Sequence, residues 1–436
     1  MTSLFSKHIS YLQSAYEKAL AIAKLDALIV HAGQGIKQRG VDDQYWPLKV
    51  NPTFAHWLPL LEPGALVVIR PGHKARLIRP QNASFWEGPA PVPGEHFWGE
   101  FEVVEAAPDQ VREHIPRGTV GFVGDFTQHA SALGIAEVHC NPPSLMGALD
   151  AIRSRKTEYE IQCLKEASGI AAQGHASVDS AFHQGAHSEL DLHLRYLGIT
   201  KQDATETPYG NIVAQGPNAA ILHHVHYGRD VDSNTEQSLL VDAGVNYMGY
   251  ASDITRTTVR GQEQATSDFR ALIAGLNTIE LALCAAVKPG LAYEALHDLA
   301  HEKLATLLLE SGLCKGATDA LVEEGVTRAF FPHGLGHSLG LQVHDVGCKV
   351  EPPSERNEFL RNTSVIEQDQ VFTIEPGCYF IEGLLGPLKA SAASNLVSWS
   401  NVDRMSPFGG IRIEDNLVVT KTGSINLTRD NWPAKH

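Results

Sequence analysis

Four carboxylates and one imidazole stand out in this sequence: Asp242, Asp253, His337, Glu375 and Glu414, each in a short run of glycine and β-forming residues. Hard oxygen donors joined by a histidine nitrogen suit two divalent cations sharing ligands, and such pairs activate water for hydrolysis. Asp242 lies in Leu239-Leu-Val-Asp-Ala-Gly244 and Asp253 in Gly249-Tyr-Ala-Ser-Asp-Ile-Thr-Arg-Thr257, with Asn246 and Gly249 offering a turn between them. A hairpin centred on Tyr247-Met248 would set positions 242 and 253 directly opposite, with Cβ atoms about 4.5–5.5 Å apart, close enough to share an ion. Two unrelated surface aspartates would show the same spacing, so the pair does not decide the matter alone.

The segment Phe331-Pro-His-Gly-Leu-Gly-His-Ser-Leu-Gly-Leu-Gln-Val-His-Asp345 carries three histidines. His333 and His337 have the spacing of two ligands on a helix, but Gly334 and Gly336 disfavour one, so an extended backbone is expected. One or two rings then face an ion, leaving another for proton or oxyanion work. A lone histidine among apolar neighbours is usually a satisfied core residue; three among glycines favour function. Glu375 follows Val371-Phe-Thr-Ile, and Pro376 with Gly377 ends that strand and leaves the carboxylate at its mouth. In Gly409-Gly-Ile-Arg-Ile-Glu-Asp415, alternation puts Ile411 and Ile413 on one face and Arg412 with Glu414 on the other. Arg412 would sit beside the ions, where its fork fits a substrate carboxylate; the plainer reading is an ion pair with Glu414 or Asp415.

The elements that must position these groups fall into two parts. The first third is α/β, with a helix near Ser10–Lys24 and strands near Leu25–His31 and Gly64–Ile69, and no phosphate loop or dinucleotide fingerprint. Near Ile152–Thr157 the character changes, which divides the chain into domains 1–154 and 155–436. Beyond lie a helical pattern from Ile161 to Phe182, stopped at Gly185, and a second helix opening at Ser188 with Asp191 as its capping-box partner. A β-rich stretch, Thr207–Gly261, follows. Then the order repeats: helices Ser267–Val287 and Tyr293–Leu309, with β-rich stretches around His333–His344, Val371–Phe380 and Gly410–Val419. Two such blocks suggest a duplicated α+β architecture, with sheets curved around a central site and helices outside.

The 436 residues, 43% hydrophobic and 19% charged, are enough for two cores. A net charge of -15, from 50 acidic and 35 basic residues, repels phosphate backbones and anionic membranes and argues against nucleic-acid or membrane partners. Six scattered cysteines read as reduced thiols. With no signal-like start and no apolar run approaching membrane-spanning length, a cytoplasmic protein is expected.

At these motifs the chain resembles the metal-dependent pita-bread hydrolases, the family of methionine aminopeptidase, aminopeptidase P and proline dipeptidase. The segments around Asp242, Asp253, His337, Glu375 and Glu414 occur in the family's order. Asp42-Asp-Gln-Tyr-Trp-Pro-Leu-Lys-Val-Asn-Pro52 and Thr207-Pro-Tyr-Gly-Asn211 look like the bacterial proline dipeptidases, a subgroup that includes the organophosphorus acid anhydrolases. The resemblance implies a homodimer with two Mn²⁺ per subunit, Co²⁺ or Zn²⁺ being substitutes. Its activity would be cleavage of dipeptides ending in proline by a hydroxide held between the ions, with organophosphate hydrolysis as a side activity. Asp242 would bind one ion, Asp253 and Glu414 would bridge, and His337 with Glu375 would complete the other. Glu375 would shuttle a proton, His344 would stabilise the oxyanion, and His223, or its neighbour His224, would face the leaving side. Arg412 and His333 are the candidates for the substrate's carboxylate. Tyr209 and Tyr293 resemble pocket residues, while Asp43 and Trp86 would reach the partner subunit's pocket; core packing is the plainer reading for Trp86 and both tyrosines. Two further readings are an Xaa-Pro aminopeptidase acting on longer peptides and a pita-bread binding module without catalysis, though a retained ligand set disfavours the latter.

Overall fold

The computed structural model describes residues 1–40, 43–81, 94–232 and 234–433. The chain divides into two compact units, Met1–Glu160 and Ile161–His436.

In the first unit, β1 (Ala27–His31), β2 (Leu66–Ile69), β3 (Arg76–Pro80), β4 (Glu102–Ala106) and β5 (Val120–Val123) form one sheet in the order β4-β3-β2-β1-β5. β1 runs antiparallel to β2 and parallel to β5. All three are buried along their whole length, as their unbroken apolar runs require for strands covered on both faces. Helix Thr2–Ala23 buries Phe5, Ile9, Leu12, Tyr16 and Leu20 on one face. It begins before the expected Ser10, and Lys24 ends it in the left-handed conformation.

In the second unit the helix–helix–strand order occurs twice. The first block holds helices Glu158–Gln184, at whose first turn the division falls, and Glu189–Thr200. Ser188 and Asp191 cap the latter with the expected reciprocal box. Then come β6 (Ile212–Gln215), β7 (Gln237–Asp242), the short β8 (Asn246–Tyr247) and β9 (Tyr250–Ala251), and β10 (Thr255–Arg260). The antiparallel order is β10-β7-β6, and Ala171, Val178 and Phe182 pack on Leu239 and Val241.

The second block holds helices Gln264–Ala286 and Tyr293–Glu310, then β11 (Val371–Ile374), β12 (Gly377–Tyr379), β13 (Gly410–Arg412), β14 (Asp415–Val419) and β15 (Ser424–Asn426). Sheet orders are β11-β14-β15 and β12-β13. The two helices pack with Phe372, Ile374 and Leu417 into one core. Helix Gln264–Ala286 is long and apolar enough to span a bilayer by length and composition alone, which corrects the reading that no segment approaches that length. Phe269, Leu272, Leu276, Ile279 and Leu283 bury one of its faces within the unit.

The half-sheets meet at the site. Thr255 bridges Glu414, and the Thr257 hydroxyl both donates to the Arg412 carbonyl at 3.0 Å and accepts from its amide at 3.1 Å.

Two local expectations are corrected. Met248 and Gly249 both take positive φ, 51° and 87°, so the hairpin turns one residue later than expected, with Tyr247 opposite Tyr250 and Asp242 opposite Thr255. A tight turn of this kind needs positive φ at both central positions, and Gly249 supplies the second. The His333–His344 stretch is no regular strand and holds one isolated bridge, Ser338 to Phe372. Its glycines serve close approach instead: a Cβ on Gly336 would lie 2.2 Å from the Thr373 carbonyl oxygen. The segment runs beside β11 through Thr373 N to His337 O at 3.0 Å and Glu375 N to Leu335 O at 2.8 Å.

Candidate metal centre

Asp242 ends β7, Asp253 lies just before β10, Glu375 follows β11 and Glu414 stands between β13 and β14. His337 comes from the glycine-rich segment held against β11. Donor atoms of Asp253, His337 and Glu414 lie within 4.8 Å of one another. His337 Nε2 is 3.4 Å from Asp253 Oδ2, 3.4 Å from Glu375 Oε1 and 4.0 Å from Glu414 Oε1. Asp242 joins through Tyr209, whose hydroxyl lies 2.8 Å from Asp242 Oδ1 and 2.5 Å from Asp253 Oδ1. The strand pairing sets the two aspartates diagonally across from one another, and the tyrosine hydroxyl links them. One hydroxyl proton has two acceptors.

The electrostatics ask for positive charge. Burial, with Asp253, Glu375 and Asp242 nearby, lifts the Glu414 carboxyl well above its ordinary value. Burial lifts Glu375 to about 7, against the pull of His337 and Arg412, with Asp253 and Asp242 adding to the rise. Burial and Asp242 raise Asp253. Burial opposes the charged form of His337, yet Asp253 and Glu375 outweigh it and raise its pKa. Glu414 is 1% exposed, and its Oε1 has no hydrogen-bond partner. An orphaned carboxylate oxygen among three other carboxylates and an imidazole fits divalent cations and little else. Thr255 Oγ1 satisfies the other oxygen, Oε2, at 2.7 Å.

Arg412 is buried and takes neither of the partners expected for an ion pair. Its Nη2 donates to Asp242 Oδ2 at 2.6 Å and its Nη1 to the Tyr379 hydroxyl at 2.8 Å. Asp415 pairs with Arg256 and Arg429 instead. Tyr379 lies 2.8 Å from His333 Nε2, while His333 Nδ1 lies 2.9 Å from the Gly334 carbonyl. A carbonyl only accepts, so Nδ1 carries the His333 proton and Nε2 accepts from Tyr379. Burial and then Arg412 lower His333 to about 3, which keeps the ring neutral.

The His344 ring centroid is 4.3 Å from that of His337, edge to face. Burial, then His337 and Arg361, lower His344 to about 3. Arg361 Nη1 reaches its Nε2 at 2.5 Å, and His223 is near enough to act on it electrostatically. His224 is turned away: its Nε2 meets Glu189 Oε2 at 2.8 Å. Tyr293 is fully buried, donates to the Thr373 carbonyl at 2.7 Å and packs edge-on against Phe372, so it belongs to the core. Asp43 is exposed in the first unit, and Trp86 lies outside the described residues.

Sequence reasoning missed Tyr379, Arg361, Thr255 and Glu189. The β-forming run Cys378-Tyr379-Phe380 just after Glu375-Pro-Gly377 offered a signal for the tyrosine. Arg361, on an exposed loop, offered none.

A metal-ligating cluster built across two half-sheets, with helices outside, defines a metallopeptidase. The chain belongs to metallopeptidase family M24, whose model matches residues 162–421. Residues 3–150 match the Xaa-Pro dipeptidase N-terminal domain. Over its full length the chain is similar to curated proteins named Xaa-Pro dipeptidase. It is 40% identical to that of Pseudoalteromonas atlantica (99% of this chain, 98% of the relative) and 40% identical to that of Colwellia psychrerythraea, with the same coverage. Its fold is that of aminopeptidase P from E. coli, with a TM-score of 0.74 at 23% identity over 97% of this chain and 95% of that one. Proline aminopeptidase P II from Yersinia pestis superposes with a TM-score of 0.71 at 25% identity, covering 96% of each chain. This is the pita-bread architecture.

Proposed function

We propose that the protein is an Xaa-Pro dipeptidase, hydrolysing the bond before a C-terminal proline. The observation that carries this is the full-length similarity to curated Xaa-Pro dipeptidases at 40% identity, joined to a site that holds all five candidate ligands.

Asp242, Asp253, His337, Glu375 and Glu414 would hold the ions. Two such cations, when bound, polarise the scissile carbonyl and lower the pKa of water to make a nucleophile at neutral pH. The remaining work falls to the side chains. Glu375 would take a proton from the attacking water and return it to the leaving proline nitrogen. His344, a neutral ring beside His337, offers an N–H to the oxyanion. His223 faces the proline side. Arg412 and Tyr379 hold Asp242 and His333 in place. With Arg412 so engaged, the exposed Arg361, resting on His344, is the better cation for the dipeptide's carboxylate, and His333 lines its path.

The same reading takes Mn²⁺ as the resident ion, supported by the oxygen-rich donor set, and a homodimer as the assembly. The six free cysteines support a cytoplasmic location. A water nucleophile that attacks carbonyl carbon also attacks phosphorus, so slow organophosphate hydrolysis belongs to the reading.

The alternative, an Xaa-Pro aminopeptidase, draws on the fold shared with aminopeptidase P. Turnover of Leu-Pro against Leu-Pro-Ala separates them. We expect Leu-Pro to be preferred by at least about tenfold in kcat/KM, and Arg361→Met to erase most of that preference by raising KM for the dipeptide. Equal rates on both peptides would refute the dipeptidase reading.

A further inference from the structure

Outside the candidate ligand set, one carboxylate among the described residues has all its acceptor positions filled by a segment that borders the site: Glu189. It is 3% exposed and stands in the first turn of helix Glu189–Thr200. Ser188 and Asp191 already form the cap of that helix, so Glu189 is not needed for it. Its oxygens reach across to one segment. Oε1 accepts from Gln215 N at 2.8 Å and from Asn218 Nδ2 at 2.8 Å. Oε2 accepts from Gly228 N at 2.7 Å and from His224 Nε2 at 2.8 Å. A carboxylate offers about four lone-pair positions, and donors from residues 215–228 fill them all.

We propose that Glu189 is a positioning residue for the proline side of the site: it ties both ends of the segment 215–228 to one point and so sets His223 opposite His344. His224 turns inward to this carboxylate and is buried, whereas His223 is left exposed at the turn. The ends are further pinned by Leu190 N to Gly228 O at 3.1 Å and Gln215 Nε2 to His187 O at 3.0 Å. Burial would raise the Glu189 carboxyl, but the hydrogen bonds from Asn218, Gly228, Gln215 and His224 outweigh it and hold it below its ordinary value. An amide in its place keeps the acceptor on one side and turns an N–H₂ towards Gly228 N and His224 on the other. Donor then meets donor. The proposal rests on reading His223 as a substrate-facing group.

Two measurements test it on the full chain. Hydrogen exchange, which needs no turnover, should show loss of amide protection confined to 215–228 in Glu189→Gln and Glu189→Ala, with β7 unchanged. In kinetics on Leu-Pro, Glu189→Ala should raise KM about tenfold with kcat within about threefold, and should add nothing once His223→Ala is present. Unchanged protection at 215–228 overturns the fastening. Effects of the two substitutions that multiply independently overturn the route through His223 and leave Glu189 a merely structural residue. A His223→Ala variant with unaltered KM overturns the role given to His223, and the kinetic half of the proposal with it, while Leu-Pro specificity itself would stand.

Discussion

Arg412 shows how a buried cation can be tied into a cluster of carboxylates. Its guanidinium spans Asp242 and Tyr379, and removing it would leave both groups buried without their donor. Breaking such a pair typically destabilises by about 3–5 kcal/mol. Arg412→Met is therefore expected to lower the melting temperature of metal-stripped enzyme and to weaken ion uptake. Were Arg412 also the carboxylate receptor, the same change would in addition raise KM for the dipeptide. The candidate ligand positions stood out in the sequence, because each carboxylate lies in a run of apolar or β-forming residues and must be explained. The partner of Arg412 could not, since Asp242 is 170 positions away and alternation says which face a side chain takes, not what folds against it. Tyr209 was read as a pocket residue, but its contact with two carboxylates escaped for the same reason, since nothing local shows that Asp242 and Asp253 converge on its hydroxyl.

Among the elements, the glycine-rich segment carrying His337 is the most demanding. Gly336 sits where a methyl group would collide with the Thr373 carbonyl and the Tyr293 hydroxyl, 2.2 and 2.3 Å away. Backbone on one side and a core tyrosine on the other cannot retreat. Gly336→Ala should push the segment off β11 and cost about 1–3 kcal/mol in overpacking. We expect ion affinity to fall at least about tenfold as His337 leaves Glu375 and Asp253, measurable by calorimetric titration with Mn²⁺; unchanged affinity would mean that the segment adapts. Helix limits in the second unit were legible to within a few residues because 3.6-residue periodicity and the Ser188–Asp191 cap are local signals, whereas the start of the first helix at Thr2 was not. The hairpin register was harder. Gly249 signals a turn without saying which central position it fills, and a displacement of one residue decides whether Asp253 or Thr255 faces Asp242.

For the whole molecule, acid sensitivity follows from histidines held neutral in the interior. Burial lowers His175 and His297 to about 4, against roughly 6.5 in the unfolded chain. Between those values the unfolded state binds the extra protons, so stability is full above about pH 6.5 and declines as pH falls towards 4. Each group contributes on the order of 3 kcal/mol over that window. Melting temperatures should drop between pH 6.5 and 4, and His175→Gln, whose amide can still donate to the Ala243 carbonyl as the ring does at 3.0 Å, should flatten that slope. A variant as acid-sensitive as the parent would place the effect elsewhere. The two-block organisation was legible from the repeated order of elements, yet the joint between the blocks was not, for it depends on single threonines.

That joint has a wider implication. Asp242 and Asp253 belong to one block and His337, Glu375 and Glu414 to the other, so cutting the chain at the exposed Gln262-Glu263 link would leave two candidate donors in one piece and three in the other, and neither piece with the full set. A divalent cation held across the joint would then act as a rivet, drawing the fragments back together and restoring turnover only in their mixture.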